Sequence, residues 1–206
     1  MTILADYRTR IFLLLGDPTV SRFTNNQVDE GLRLAQQEYS NSYPQLLSSI
    51  ITVSAAGREQ PLPSMSSIRS VMRVQYPYID ETSLVYKETY FYYLAGSAIL
   101  YFTGLATPRV GEKFRVHYSS NHTISGLDSA AVTTVPPAHD ALMVEGAAGF
   151  TSLIRSAQLS ESFANSNDQL MAQAQYYLAN FRNSLLALKL ETAFYFPLSG
   201  FPVDMD

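Results

Sequence analysis

The chain contains no cysteine. That absence removes disulfides, thiolate metal sites and cysteine nucleophiles together, so the fold must stand on packing alone. Charge is also scarce: Asp, Glu, Lys and Arg make up 16% of the 206 residues, against roughly a quarter in an average soluble protein. With 47% hydrophobic residues, part of the uncharged surface is expected to be covered by another molecule. The net charge is −4 and no run of Lys and Arg occurs anywhere, which argues against direct nucleic-acid binding. Long apolar runs are missing as well. Ile11 to Leu15 is among the longest, far short of the roughly 20 residues that a membrane-spanning helix requires. The N-terminus places Asp6, Arg8 and Arg10 before that run with no small-residue cleavage site after it, so it does not read as a signal peptide.

Motifs that assemble an active site are absent too. G-x-S-x-G and S-x-x-K do not occur, nor do G-x-x-x-x-G-K or G-x-G-x-x-G, so neither an activated serine nor a phosphate-cradling loop is indicated. His117, His122 and His139 lack metal-ligand spacing and are expected to be structural or solvent-facing. Asp140 follows His139 and reads as a charge at a helix N-terminus rather than as half of a catalytic pair. Asp29-Glu30 and Asp80-Glu81 are adjacent carboxylates, and neighbours in a helix point to different faces. No cofactor, metal or enzymatic activity is expected.

What the sequence does hold is helical and strand periodicity in a definite order. Leu4, Tyr7, Ile11, Leu14 and Leu15 recur at helical spacing, and Gly16-Asp17-Pro18 supplies a stop. Thr24-Asn25-Asn26-Gln27 is a capping box for a second helix whose apolar face is Val28, Leu32, Ala35 and Tyr39; Phe23 stands ready to staple against Val28 or a neighbour. Short β-branched and alternating runs follow: Ser49 to Ser54, Val71 to Tyr76, Tyr90 to Leu94 with Ala98 to Phe102 as a hairpin about Ala95-Gly96-Ser97, and Phe114 to Tyr118. Gln60-Pro61-Leu62-Pro63 reads as a turn. Ser119 to Val135 is rich in Ser, Thr, Asn and Gly and reads as a long loop, a candidate interaction element.

Pro136-Pro137 opens a third helix whose centre, Gly146-Ala147-Ala148-Gly149, allows another backbone to come very close. In the fourth helix, Met171, Ala174, Leu178, Phe181, Leu185 and Leu188 form a heptad-like seam, expected to be one side of an intramolecular bundle. Thr192 to Asp206 is apolar apart from its final acids. Phe194, Tyr195, Phe196, Leu198 and Phe201 should not hang in water.

These readings give an α+β fold: a bundle of about four helices, with a small antiparallel β-sheet of four or five strands inserted between helices two and three, plus an extended apolar C-terminal tail. A single domain is expected over residues 1–191, with helices at 3–15, 24–43, 137–158 and 166–191 and strands within 49–118. Residues 192–206 form a docking tail. The Tyr-rich strands also leave open a carbohydrate- or protein-binding module.

The order of the features resembles the head-to-tail adaptor proteins of tailed phages. Arg8 and Arg10 with Leu14-Leu15-Gly16-Asp17, then Phe23-Thr24 before a helix that carries the Ala35 to Tyr39 stretch, are similar to that family's N-terminal region. Leu62-Pro63, Arg73-Val74-Gln75-Tyr76, Arg115-Val116-His117-Tyr118 and Thr134-Val135-Pro136 resemble its later motifs. The similarity spans about residues 3 to 190; Glu59-Gln60 departs from the usual aromatic-acid pair, and the tail has no fixed counterpart. The resemblance implies a structural protein of the virion neck, forming a ring of copies, usually twelve, beneath the portal and linking the capsid vertex to the tail. Its partners would be the portal protein, the next tail-side protein and itself. Genomic DNA would pass through the lumen without specific binding, and no membrane is implied. Phe194, Tyr195, Phe196, Leu198 and Phe201 would then dock on the portal or a neighbouring subunit, and Ile124, Leu127 and Val132 would belong to the tail-side contact loop.

Overall fold

The structure, a computed structural model, describes residues 2–62, 68–79, 89–93, 98–104, 106–159 and 164–195, with the backbone alone at 164–167 and 191–195. Two compact units emerge: Met1–Tyr43 with His122–Asp206, and Pro44–Asn121. The first is helical and the second is built of strands, in keeping with an α+β fold whose strands lie between the second and third helices.

In the helical unit, α1 (Leu4–Leu14) buries Tyr7, Ile11 and Phe12. It ends in a Schellman motif: the Asp17 amide donates to the Phe12 carbonyl at 2.9 Å and the Gly16 amide to the Leu13 carbonyl at 3.1 Å. Gly16 holds the required left-handed backbone, φ 65°. Leu14, expected on the buried face, is 38% exposed, while Phe12 and Leu15 are buried.

The capping box at Thr24 forms as its sequence implies. The Gln27 amide donates to the Thr24 hydroxyl at 3.3 Å, and the Thr24 amide donates to the Gln27 side-chain oxygen at 2.8 Å. From this cap α2 (Asn25–Ser42) buries Val28, Leu32, Ala35 and Tyr39, all fully, and Phe23 joins the same core. A 3-10 turn, Pro137–His139, leads into α3 (Asp140–Leu159), and α4 (Ala164–Tyr195) runs back along it. The seam on α4 is intramolecular: Ala174, Leu178, Phe181 and Leu185 are buried, and Leu188 packs against the core. The helix continues past the expected end at Glu191, so Phe194 and Tyr195 lie in its last turn.

Close backbone approach organises this bundle around α3. A Cβ on Gly31 of α2 would stand 2.8 Å from the Ala147 carbonyl oxygen and 2.9 Å from the Thr151 amide. On the other side, a Cβ on Gly146 would meet the Phe181 ring at 2.7 Å, and one on Gly149 would meet Leu178 at 2.9 Å. The small residues at the centre of α3 therefore receive a neighbour on each side, as their sequence suggests.

The strand unit holds six described strands in two three-stranded antiparallel sheets, rather than one sheet of four or five. The first has the order β1 (Gln45–Thr52), β6 (Lys113–Ser120), β3 (Ile68–Gln75); the second β2 (Glu59–Pro61), β5 (Ile99–Phe102), β4 (Phe91–Tyr93). The aromatic hairpin pairs as expected, Tyr93 with Leu100 and Phe91 with Phe102; its turn lies outside the described residues. The Gln60-Pro61 turn is instead strand β2. Gln60 is buried, and its amide nitrogen donates to the Ala55 and Gly57 carbonyls at 3.0 and 2.8 Å. Pro61 is tolerated because β2 is an edge strand. Phe102, Phe114, Val116 and Val74 anchor a core separate from that of the helices.

Replacing Gly31 with alanine drives a methyl group into the Thr151 hydroxyl and into the α3 backbone behind it, and the cost expected of such overpacking is about 1–3 kcal/mol. Thermal denaturation of Gly31→Ala should show a Tm several degrees lower with helix content preserved; an unchanged Tm would mean that α2 and α3 are free to separate at this crossing.

Candidate interaction surfaces

The expected contact loop is more tightly built than its composition implies. Ile124 and Leu127 are buried in the helical core, at 0% and 3% exposure, and so are not available as contacts. Their hydroxyl-rich neighbours satisfy the backbone: the Thr133 side chain accepts from the Ser125 amide at 2.9 Å and donates to the Thr2 carbonyl at 2.6 Å. The Thr134 side chain accepts from the Thr123 amide at 2.8 Å. Val132 remains outward, 53% exposed. Of the tail anchors, Phe196, Leu198 and Phe201 lie outside the described residues, as do the side chains of Phe194 and Tyr195.

Among the described residues the histidines do not converge with a carboxylate. His139 Nδ1 lies 2.6 Å from the Tyr39 hydroxyl, and both rings, with Tyr43 and His122, form one aromatic cluster. Asp140, beside His139 in sequence, instead accepts from the Tyr7 and Thr2 hydroxyls, with Arg10 at 3.7 Å. Burial first, and the bond to Asp140 second, push the Tyr7 phenol well above its ordinary value, so it stays a neutral donor. This group ties α1 to the start of α3 and has the chemistry of an anchor. Among the described residues no group of three or more His, Asp or Glu could hold a metal ion.

Pairing of strands gathers charge that the linear sequence disperses. On one face of the first sheet His117 stands opposite Arg73 on β3 and beside Arg115 on β6. Burial, and then these two guanidinium groups, lower the His117 pKa. The absence of a basic run in the sequence thus does not carry over to this face.

Exposed apolar side chains mark further surface. Leu13 and Leu14 on α1 line a groove of about 450 Å³ with Arg10, Ala141, Val144 and Glu145. On α4, Leu186 and Leu190 are 59% and 56% exposed, one helical turn apart and off the buried seam. In the strand unit Tyr90 and Tyr92 are 72% and 55% exposed. Sequence reasoning missed the α4 pair because the seam accounted for the helix; the signal was an excess of leucines beyond one stripe.

The family model for the SU10 adaptor protein matches residues 2–199, nearly the whole chain and both units. The chain belongs to the SU10 adaptor protein family. It is therefore a phage head-to-tail adaptor, a structural class, and the resemblance seen in its ordered motifs is that of its family. No match is found among curated proteins. No helix among the adaptor's described residues is long and apolar enough to cross a membrane.

His122 gives this adaptor a pH dependence. It is 3% exposed, its Nδ1 is 3.0 Å from the Thr134 carbonyl oxygen, and burial lowers its pKa below the ordinary value. Below about pH 6.5 the unfolded chain takes up a proton at this residue before the folded one does. The contribution of neutral His122 to stability is therefore full above that value and lost as the pH falls toward the folded pKa; His117 acts with the same sign. The Tm should be lower at pH 5 than at pH 7.5, and His122→Asn should narrow that gap. An equal gap in the variant would assign the dependence elsewhere.

Proposed function

We propose that this adaptor forms a ring beneath the portal and joins the capsid vertex to the tail as a structural component of the virion neck. The observation that carries the reading is the far end of α4. Gly146 and Gly149 face Phe181 and Leu178, so α3 and α4 are antiparallel and Asp140 lies level with about residue 187. The eight residues from there to Tyr195 extend about 12 Å beyond the start of α3. This overhang carries exposed Leu190 and leads into Phe194 and Tyr195 and then Phe196, Leu198 and Phe201. An apolar helical end followed by an aromatic segment is suited to a groove on another protein, since buried aromatics dominate interface energetics.

A ring subunit needs two lateral and two axial surfaces, which suits a chain of low charge with separate exposed apolar patches. In this reading residues 192–206 dock on the portal or a neighbouring copy. The loop carrying exposed Val132 faces the next tail-side protein, and DNA passes through the lumen without specific contacts. The exposed Tyr90 and Tyr92, with Tyr101 at 6.1 Å ring separation from Tyr92, support a second reading, a carbohydrate- or protein-binding surface.

Light scattering on the purified chain, alone and mixed with the portal protein of the same phage, should give a ring-sized particle or a stoichiometric complex. A monomer indifferent to the portal sinks the ring reading, and binding on a glycan array would then favour the tyrosine surface. Deleting Thr192 to Asp206 should abolish assembly while leaving the thermal transition of the monomer nearly unchanged; if the deletion unfolds the monomer, the tail belongs to its own core. Replacing Ala130 to Val132 with a shorter polar turn should block tail attachment and spare portal binding, and loss of both would refute that division of surfaces.

A further inference from the structure

A second pocket, of about 520 Å³, lies at the opposite end of the helical unit, between the end of α3 and the early part of α4. Asp17 builds its wall. The carboxylate accepts from the Ser21, Arg22 and Phe23 amides at 2.9, 2.7 and 2.9 Å and from the Ser21 hydroxyl at 2.9 Å. Burial alone would raise this acid, but the four bonds reverse the effect and hold it at about 2, so Asp17 is ionised and fully engaged. The result is a fixed loop that presents Arg22 to the pocket, with its guanidinium 5.6 Å from the centre of the Phe23 ring.

The same pocket is lined by Arg155 of α3, half-buried, with Leu159 of α3 and Gln169, Leu170 and Gln173 of α4. Among the described residues neither Arg22 nor Arg155 forms an ion pair, in contrast to Arg8, Arg10, Arg33 and Arg182, each of which has a carboxylate partner. Two such guanidinium groups in a chiefly polar pocket match a ligand that carries closely spaced carboxylates. The chain's own sequence contains one: Phe201-Pro202-Val203-Asp204-Met205-Asp206.

We infer that the pocket between Arg22 and Arg155 receives Asp204 and Asp206 of a second copy of this chain. Chain length favours a second copy over the same one. Arg155 lies level with about residue 172 of α4, so the helix carries Tyr195 about 35 Å away from it. Asp204 and Asp206 follow nine and eleven residues later, reaches of about 32 and 40 Å only when the chain is fully extended. A copy's own tail would therefore have to run straight back along the helix with almost none of its length spent in reversing direction, whereas a neighbour's tail meets the pocket without that constraint. Head-to-tail seating of this kind is heterologous and closes into a ring when the rotation permits. The inference rests on the ring proposed above and names the site that one subunit offers to the next.

Charge reversal in the full-length chain tests it. One variant carries Arg22→Glu and Arg155→Glu; the other carries Asp204→Lys and Asp206→Lys. Each alone should lose self-association by about tenfold or more at low salt, with an unchanged circular dichroism spectrum. An equimolar mixture of the two should recover assembly, because each intact or reversed tail then finds a complementary pocket on its neighbour. The chain carrying all four substitutions should recover as well. If both variants assemble as the parent does, the inference fails while the ring stands. Recovery in the four-fold variant without recovery in the mixture would place the tail in its own copy's pocket and overturn the second-copy assignment. Failure of both would show that these charges do not meet. A parent chain that is monomeric alone and with the portal removes the ring itself.

Discussion

The helical unit depends on how near α3 lets its neighbours come. Gly31 lies against the Ala147 carbonyl on one side, and Gly146 and Gly149 lie against Phe181 and Leu178 on the other. At such separations dispersion contacts are dense, and helix position is set by backbone shape, with little room for side-chain adjustment. The rest of the unit takes its place from this arrangement. It sets the level at which α4 passes α3, hence the pocket at one end and the overhang at the other.

Polar groups add direction to that packing. Arg8 holds Asp29 through two bonds, at 2.7 and 2.6 Å, joining α1 to α2, and Arg182 reaches Glu38 at 2.7 Å, joining α4 to α2. Arg33 connects α2 to Asp128 at 2.8 Å. These pairs lie at the periphery, where each contributes little to stability, but their planar geometry fixes register. With Arg10 beside Asp140, four of the eleven arginines thus meet a carboxylate inside the subunit.

Helices were the legible part of the sequence. Thr24 and Gln27 announce a start, Gly16 announces a stop, and the seam from Ala174 to Leu185 repeats at the spacing of a buried face. The strands were legible in kind but not in grouping, since nothing local distinguishes one sheet from two; Pro61 concealed β2 because its tolerance depends on a tertiary fact, the edge position. Burial in the loop was hidden for a related reason. Isolated apolar residues such as Ile124 and Leu127 carry no periodicity, and the Thr side chains that satisfy the backbone around them look the same in an exposed loop. The grouping of Arg73, His117 and Arg115 and the placing of Arg22 and Arg155 in one pocket are products of strand pairing and helix packing, which spacing in the chain does not encode.

Strand register has a consequence for how such chains diversify. Gln45 pairs with Ser120, so the strand unit is entered and left through directly opposed residues, a Cα separation of about 5 Å in an antiparallel ladder. Whatever lies beyond that first rung can lengthen, shorten or be exchanged without altering the gap it leaves between its two junctions. The loop-closure entropy of accommodating the insert is settled at the rung and grows only slowly with the length behind it. A strand module of another size can thus leave and rejoin the chain through the same pair of junctions.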